Sequence, residues 1–434
     1  MPVDAEDACL VRTFQRALGV MLTYDAPVST SPARAAADAL IPTWIPLRRK
    51  SSRAGAAVLF SALGGLTGVP LVVVACSQRT TTEPWATLAA GASHTCGLTT
   101  GGAAYCWGSN QSGQLGDGSR KNQLTPVAVM GGLTFVSLTA GTEHTCALTG
   151  AGAAYCWGEN ASGRLGDGST STRTAPVPVA GGITFSSLQA GATHTCGLTT
   201  GGAAYCWGDN AVGQVGDGST TTRTAPVLVV GEIALARLAP GSGQTCGLST
   251  GGEAFCWGIN QDGQVGDGTN TTRVTPTAVA GGLRFVSLTA GHFACGLTDA
   301  GEAWCWGWQV WNHWRGQPGS DEPSNTRPAP VAGGIAFATL TAGGAHACGL
   351  TSAGSAYCWS YNTSGQLGDG STISRTTPVP VVGGITFASI SARGAHSCAV
   401  TSGGAAFCWG ANGHGQLGDG STADRTTPVA VPNP

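Results

Sequence analysis

The stretch GGLTFVSLTAGTEHTCALTGAGAAYCWGENASGRLGDGSTSTRTAPVPV, Gly131–Val179, decides how the chain is organised. Its β-branched and aromatic runs are short and are bounded by Gly-Gly, Gly-x-Gly, Gly-Asp-Gly and Pro, which is strand spacing and too tight for helices. Four strands are expected in it: Phe135–Ala140, His144–Leu148, Ala153–Trp157 and Pro176–Val179.

The unit recurs, and cysteine is the ruler. Fourteen of the 16 cysteines pair at a spacing of ten: Cys96 with Cys106, Cys146 with Cys156, Cys196 with Cys206, Cys246 with Cys256, Cys295 with Cys305, Cys348 with Cys358, and Cys398 with Cys408. The first members step by about 50 residues, so seven copies run from about Trp85 to the end of the chain. A lone four-stranded sheet cannot bury both faces, whereas radial stacking of seven can. The expected fold is all-β, a seven-bladed β-propeller with four-stranded antiparallel blades, over residues 84–434. An open solenoid of the same units is the competing arrangement.

Composition agrees with a turn-rich, folded chain. Gly supplies 69 of 434 residues and charged residues 10 %, against an average Gly usage of about 7 %. There is no collagen period, and Gly with Pro stays below the level of low-complexity disorder. A net charge of −2 and a single short basic run near residue 48 give no stripe for a phosphate backbone, so nucleic acid is not an expected partner.

The repeated motifs F-x-x-L-x-A-G, G-x-x-H-T-C-x-L, A-Y-C-W-G-x-N-x-x-G-Q-L-G-D-G-S and P-V-x-V resemble the repeat of the regulator of chromosome condensation family over roughly residues 84–432. The resemblance implies a seven-bladed propeller. It also brings two functional analogies: guanine-nucleotide exchange on a small GTPase, and a secreted inhibitor that covers an enzyme with one face. The chain departs from the pattern in three places. Repeat four has Gln244 where most copies have His, repeat six reads W-S-Y-N from Trp359, and repeat five has Phe293 at the His position and lacks G-Q-L-G-D-G.

If Cys146 faces Cys156 across a hairpin, Ala147 falls opposite Tyr155 and Thr145 opposite Trp157, small against large. Directly opposed residues lie within disulfide reach. Buried thiols packing as small hydrophobes are the alternative. Zinc fits poorly, because a hairpin offers only two sulfurs and there is no C-x-x-C. The compartment decides between the first two.

Residues 1–83 stand outside the repeat. Residues 47–76 read as a lipoprotein-type export signal: L-R-R-K-S-S-R from Leu47, an uncharged stretch Ala54–Ala75, and V-V-A-C ending at Cys76. The V-V-A-C end resembles the lipobox of bacterial lipoproteins, which implies lipidation of Cys76. A transmembrane anchor is the other reading of the same apolar length. Residues 77–83 are a linker. Residues 1–46 precede the signal and are expected to be disordered or upstream of the true translation start. Both readings export the propeller to the cell envelope, held on a membrane and facing the periplasm or exterior, where disulfides are the favoured state.

His94, His144, His194, His346 and His396 recur at one position, and Asp117, Asp167, Asp217, Asp267, Asp369 and Asp419 at another. A catalytic site needs different residues converging at one point, so repetition favours structural roles: a hydrogen bond at a strand end for His, and a turn for Asp, paired with the Arg before P-V such as Arg173. A calcium site from Asn160 and Asp167 is the minor alternative. No nucleophile elbow, Walker loop, H-E-x-x-H or dinucleotide fingerprint stands in a suitable context, so no enzyme, cofactor or metal is expected. The asymmetric feature is W-C-W-G-W-Q-V-W-N-H-W-R-G-Q-P-G-S-D-E-P, Trp304–Pro323. Trp308, Trp311, Trp314 and Arg315 lie there outside the repeat, and Trp and Arg are enriched in binding hot spots. Packing into the gap left by the lost G-D-G turn is the other reading. The expected function is a monomeric, non-catalytic scaffold that binds a protein or a glycan.

Overall fold

The computed structural model describes residues 83–307 and 326–434. The expected leader and Cys76, and the candidates Trp308, Trp311, Trp314 and Arg315, lie outside the described residues. Seven four-stranded antiparallel sheets follow one another, each with its strands in sequence order. Blade 1 comprises β1 (Trp85–Ala90), β2 (His94–Thr99), β3 (Ala104–Gly108) and β4 (Gln123–Ala128), and blade 7 runs from Ser389 to Val431. Blade 7 packs back onto blade 1: Trp85 N–H donates to Gly404 O at 3.0 Å and Ala90 N–H to Ser391 Oγ at 3.0 Å. The ring is therefore closed, which makes the fold a seven-bladed β-propeller and excludes the open solenoid. Each blade keeps its own four strands, so closure exchanges none.

Three strands of the second blade differ from the sequence expectation: the third is shifted by one residue to Ala154–Gly158, and the fourth and first differ for identifiable reasons. Its fourth strand spans Arg173–Pro178 because Arg173 pairs with Gly158 beyond a bulge next to Cys156. Pro176 is tolerated there since the strand is the outer edge of the sheet, where a missing N–H breaks no ladder. The first strand starts only at Ser137, while Phe135 turns its N–H to Gly102 O of blade 1 at 2.9 Å and buries its ring between the blades. In blade 5 the outer strand shrinks to Ala329–Pro330.

The middle hairpins pair Cys146 with Cys156, Ala147 with Tyr155 and Thr145 with Trp157. All seven cysteine pairs are disulfides, with Cα atoms 4.0–4.1 Å apart. The alternation of a strand gives each blade two unlike faces. One face carries His94, the disulfide and Leu98; the other, on the next blade, carries Thr145, Ala147 and Trp157. These faces meet, so the core is divided into one apolar cluster per seam, such as Cys96, Leu98, Leu115, Phe135, Ala147 and Trp157 between blades 1 and 2. Under the Phe185-type ring the second strand carries Gly or Ala: a Cβ on Gly197 would sit 2.6 Å from the Phe185 ring. Small-against-large pairing is thus what lets neighbouring sheets approach.

Candidate functional site

The recurring histidines are fully buried and tie one blade to the next. His94 Nε2 lies 3.0 Å from Thr145 Oγ1, and Thr145 Oγ1 donates to the Gln114 carbonyl at 2.9 Å. A hydroxyl has one proton, so the histidine must donate from Nε2 and the hydroxyl accept. Trp157 Nε1 donates to the same Gln114 carbonyl at 2.9 Å. The relay repeats at His144–Thr195, His194–Thr245, His346–Ser397 and His396–Thr95. The histidine bond anticipated at a strand end is therefore a bond across a blade seam. Burial forces these imidazoles neutral: it lowers His94, His194 and His346 to about 3 and His396 to about 4, and takes His144 well below its ordinary value. Their Nδ1 atoms are buried without hydrogen-bond partners, so a second proton would have no acceptor. A buried, neutral ring whose proton is already committed is suited to holding blades and not to general acid or base work on a ligand.

The loops between third and fourth strands are knotted around Asn and Asp. Asn160 Oδ1 accepts from Leu165 N–H at 3.0 Å, and its Nδ2 donates to Asp167 Oδ1, Ser169 O and Ser171 O at 3.1 Å. Asp167 also takes Ser169 N–H at 3.0 Å and the Arg173 guanidinium at 2.8 Å. Burial opposes its ionisation, but the bonds from Ser169, Arg173 and Asn160 outweigh this and hold its carboxyl below the usual range. The calcium alternative does not fit this donor set. The Asn160 amide nitrogen faces the carboxylate where a cation would require oxygen, and the Asn160 oxygen is spent on the backbone. Blade 1 substitutes Gln123 for the arginine, with Nε2 3.3 Å from Asp117 Oδ2.

The pattern fails at two adjacent seams, and there its partners are lost together. Gln244 of blade 4 donates to Gly291 O at 3.1 Å, and the residue of blade 5 that would have been its hydroxyl partner is Ala294. Phe293 of blade 5 is matched by Ala347 of blade 6, and both are buried in one cluster with Trp359. Replacing both members of a buried polar pair by apolar groups avoids leaving either one unsatisfied. Blade 5 also lacks the G-Q-L-G-D-G loop, and the Trp359 indole N–H of blade 6 is buried without a partner, where Trp157, Trp207, Trp257, Trp306, Trp409 and Trp107 each donate to a loop carbonyl of the preceding blade. The paired alanines were readable in the sequence by aligning the column after each histidine: Thr, Thr, Thr, Thr, Ala, Ala, Ser.

Trp308–Arg315 depart from blade 5 after its third strand, Ala303–Trp306, and the described chain resumes at Thr326 before Ala329–Pro330. The His94-type turns, which join first strands to second strands, form one end of the propeller. The opposite end carries a groove of about 430 Å³ between blades 4 and 5, bordered by Arg237, Leu248, Arg284, Phe285 and Asp299. Among the described residues no cluster of His, Cys, Asp and Glu could hold a metal ion.

Known proteins give the same architecture. The family described as Regulator of chromosome condensation (RCC1) repeat matches residues 101–148, 151–198, 251–297, 353–400 and 403–434, and a second description of the repeat adds 85–114, 135–164, 185–214, 337–366 and 387–416. Comparison with curated protein sequences finds no match. Among solved structures, human WBSCR16 is similar at 21 % identity and a TM-score of 0.69, over 76 % of this chain and 94 % of that one. Prp20p from Saccharomyces cerevisiae, described with its binding to Gsp1p and histones, is similar at 22 % identity and 0.68, over 77 % and 87 %. The CRINKLY WD40 ectodomain of the Arabidopsis thaliana receptor kinase ACR4 is similar at 21 % and 0.50, over 81 % and 100 %. With repeats matched along more than half of its length and the closed seven-bladed ring they build, the chain belongs to the regulator of chromosome condensation repeat family.

Proposed function

We propose that this chain is an exported, non-catalytic binding scaffold, held to a membrane by lipid on Cys76, that grips a protein partner through Trp308, Trp311, Trp314 and Arg315. The observation that carries the reading is the conversion of all seven repeat cysteine pairs into buried disulfides, a state that belongs to oxidising compartments. The V-V-A-C sequence before the linker supports a lipid anchor in that compartment. Rigid blades offering variable loops favour binding over chemistry. Nucleotide exchange on a small GTPase would need a cytosolic chain with reduced thiols.

The test is fractionation followed by capture. The protein should sediment with membranes, carry no free repeat thiols, and retain a partner from envelope extract that a Trp311→Ala, Trp314→Ala variant releases without loss of melting temperature. Soluble cytosolic protein with reduced cysteines would overturn the export reading and restore the exchange factor. A large melting loss in the double variant would assign the tryptophans to packing. Retention of carbohydrate on a glycan array, with no protein captured, would replace the protein partner by a glycan.

A further inference from the structure

Blade 7 breaks the repeat at the mouth of the central channel. Where the other blades read Ala-Gly or Pro-Gly at the end of the first strand, it reads Ala392-Arg393-Gly394. The strand runs one residue longer, Ser389–Arg393, pairing Arg393 with His396, and the turn passes through Gly394 at φ +53°. The Arg393 side chain leaves blade 7 and donates from one terminal nitrogen to the Ala190 carbonyl of blade 3 at 2.7 Å. Blades 7 and 3 are not neighbours in the ring, so the guanidinium crosses the axis. Its charge is felt at His94, His144, His194 and His292, on blades 1, 2, 3 and 5.

Among the described residues that cation has no ion-pair partner. Arg393 is half-buried, and its other N–H groups are not among the buried groups without a partner. The walls are of matching character. The innermost strands carry on their less buried alternates Ser, Thr, Ala, one Gln (Gln189) and one further cation, exposed Arg237, and no carboxylate. Four of these hydroxyls sit at the level just below Arg393. Thr139, Thr289, Thr341 and Ser391 each accept a backbone N–H from the next blade at 3.0–3.1 Å. A hydroxyl that accepts from the backbone still has its own proton to give.

We infer that the channel mouth is a carboxylate-binding site, with the Arg393 guanidinium as its charged clamp and the hydroxyl ring beneath as neutral donors. One guanidinium offers a planar fork that matches a carboxylate in shape and balances its single charge. A phosphate dianion would leave a charge uncompensated in a partly desolvated channel. The carboxylate comes either from a small free acid or from a Glu or Asp side chain presented by a protein.

Nitrogen-15 spectra of the full chain test this. The arginine Nε–H resonance that disappears in Arg393→Gln is followed during titration with sodium acetate, at constant ionic strength in chloride, and in parallel with a short amidated peptide containing one Glu. The expected result is a saturable shift of that resonance by acetate or peptide and none by chloride, with binding, read in both proteins from the Gly394 backbone amide, weakened at least about tenfold in Arg393→Gln. Tighter binding of peptide than of acetate assigns the source to a protein side chain; the reverse assigns it to a small acid. The melting curve of the variant checks that the ring is intact. An Arg393 resonance unmoved by both probes, or equal affinity in a folded Arg393→Gln protein, overturns the inference.

Discussion

The buried histidines make the propeller acid-labile in a window that can be computed. In the unfolded chain each imidazole titrates near 6.5, whereas burial keeps His94, His194 and His346 unprotonated down to about 3 and His396 down to about 4. Between those limits the unfolded state binds protons that the folded state refuses. Stability is therefore complete above the unfolded value and is lost as pH falls toward the folded one. From pH 7 to pH 5 each such histidine removes about 2 kcal/mol, or about 8 kcal/mol for the four, which is of the order of a whole domain's stability. The turn aspartates do not contribute there, because their folded values lie below 3.8 and their loss begins at lower pH. The assay is guanidinium unfolding of the oxidised protein at pH 7, 6 and 5, alongside His94→Gln. Gln244 shows that the seam accepts this side chain, since its amide reaches the Gly291 carbonyl of the next blade. The variant should lose about 2 kcal/mol less over the range than the parent. A total loss under about 2 kcal/mol in the parent, or an identical loss in His94→Gln, would refute the account of neutral, seam-bonded imidazoles.

Other expectations follow from the same seams and loops. Thr195→Val leaves the His144 Nε2 proton buried without an acceptor and should cost about 2 kcal/mol in denaturant unfolding, whereas Ala347→Val, at a seam with no relay, should show no such polar penalty. Gly141→Ala places a Cβ against the His144 ring and 2.7 Å from Gly191 O, so it should destabilise by more than about 2 kcal/mol and expose the relay to hydrogen exchange. Arg173→Gln copies the arrangement at Gln123 and should cost no more than about 1 kcal/mol, because the arginine is substantially exposed. Cys146→Ala with Cys156→Ala should lower unfolding stability by about 2–3 kcal/mol while leaving the circular-dichroism spectrum intact.

Much of the fold was legible because one unit is written seven times. The cysteine ruler gave the blade count, and the small-against-large opposition of Ala147 with Tyr155 and Thr145 with Trp157 gave the hairpin register that the structure has. What the repeat hides is anything that lies between blades. The histidine reads as a strand-end residue when one copy is viewed alone; its partner is 51 residues away, at the same place in the next copy. The outer strand is hard to bound from sequence for a local reason, since a proline suggests a strand start whereas here an edge position and a bulge admit it mid-strand. Arg393 carries no signal in the sequence, because a single Gly-to-Arg change in one of seven copies looks like drift until closure of the ring points it across the axis at Ala190.

The coupled losses at blades 4 to 6 identify the unit on which selection for stability acts. Had the blade been that unit, a missing histidine in blade 5 would predict nothing about blade 6. Instead Gln244 is matched by Ala294 and Phe293 by Ala347, each across a seam, and no hydroxyl is left facing a side chain that cannot donate to it. An unpaired buried hydroxyl or imidazole costs more than the bond between them is worth, so loss of one member favours loss of the other. The Trp359 N–H, buried without a partner, is the exception: its counterparts donate to a carbonyl of the preceding blade's G-Q-L-G-D-G-type loop, a motif that the sequence of blade 5 lacks. That residue is buried in the seam cluster with Phe337, Ala342 and Ala347, its ring 5.7 Å from that of Phe337. The seam between blades 5 and 6 is therefore held by packing in place of the polar relay, and in the acid titration above it should be the seam least sensitive to pH. Hydrogen exchange at pH 5 should show protection falling at the five histidine seams while the amides around Phe337 and Trp359 keep theirs. Uniform loss around the ring would mean that the blades unfold as one body and that the relay has no local effect.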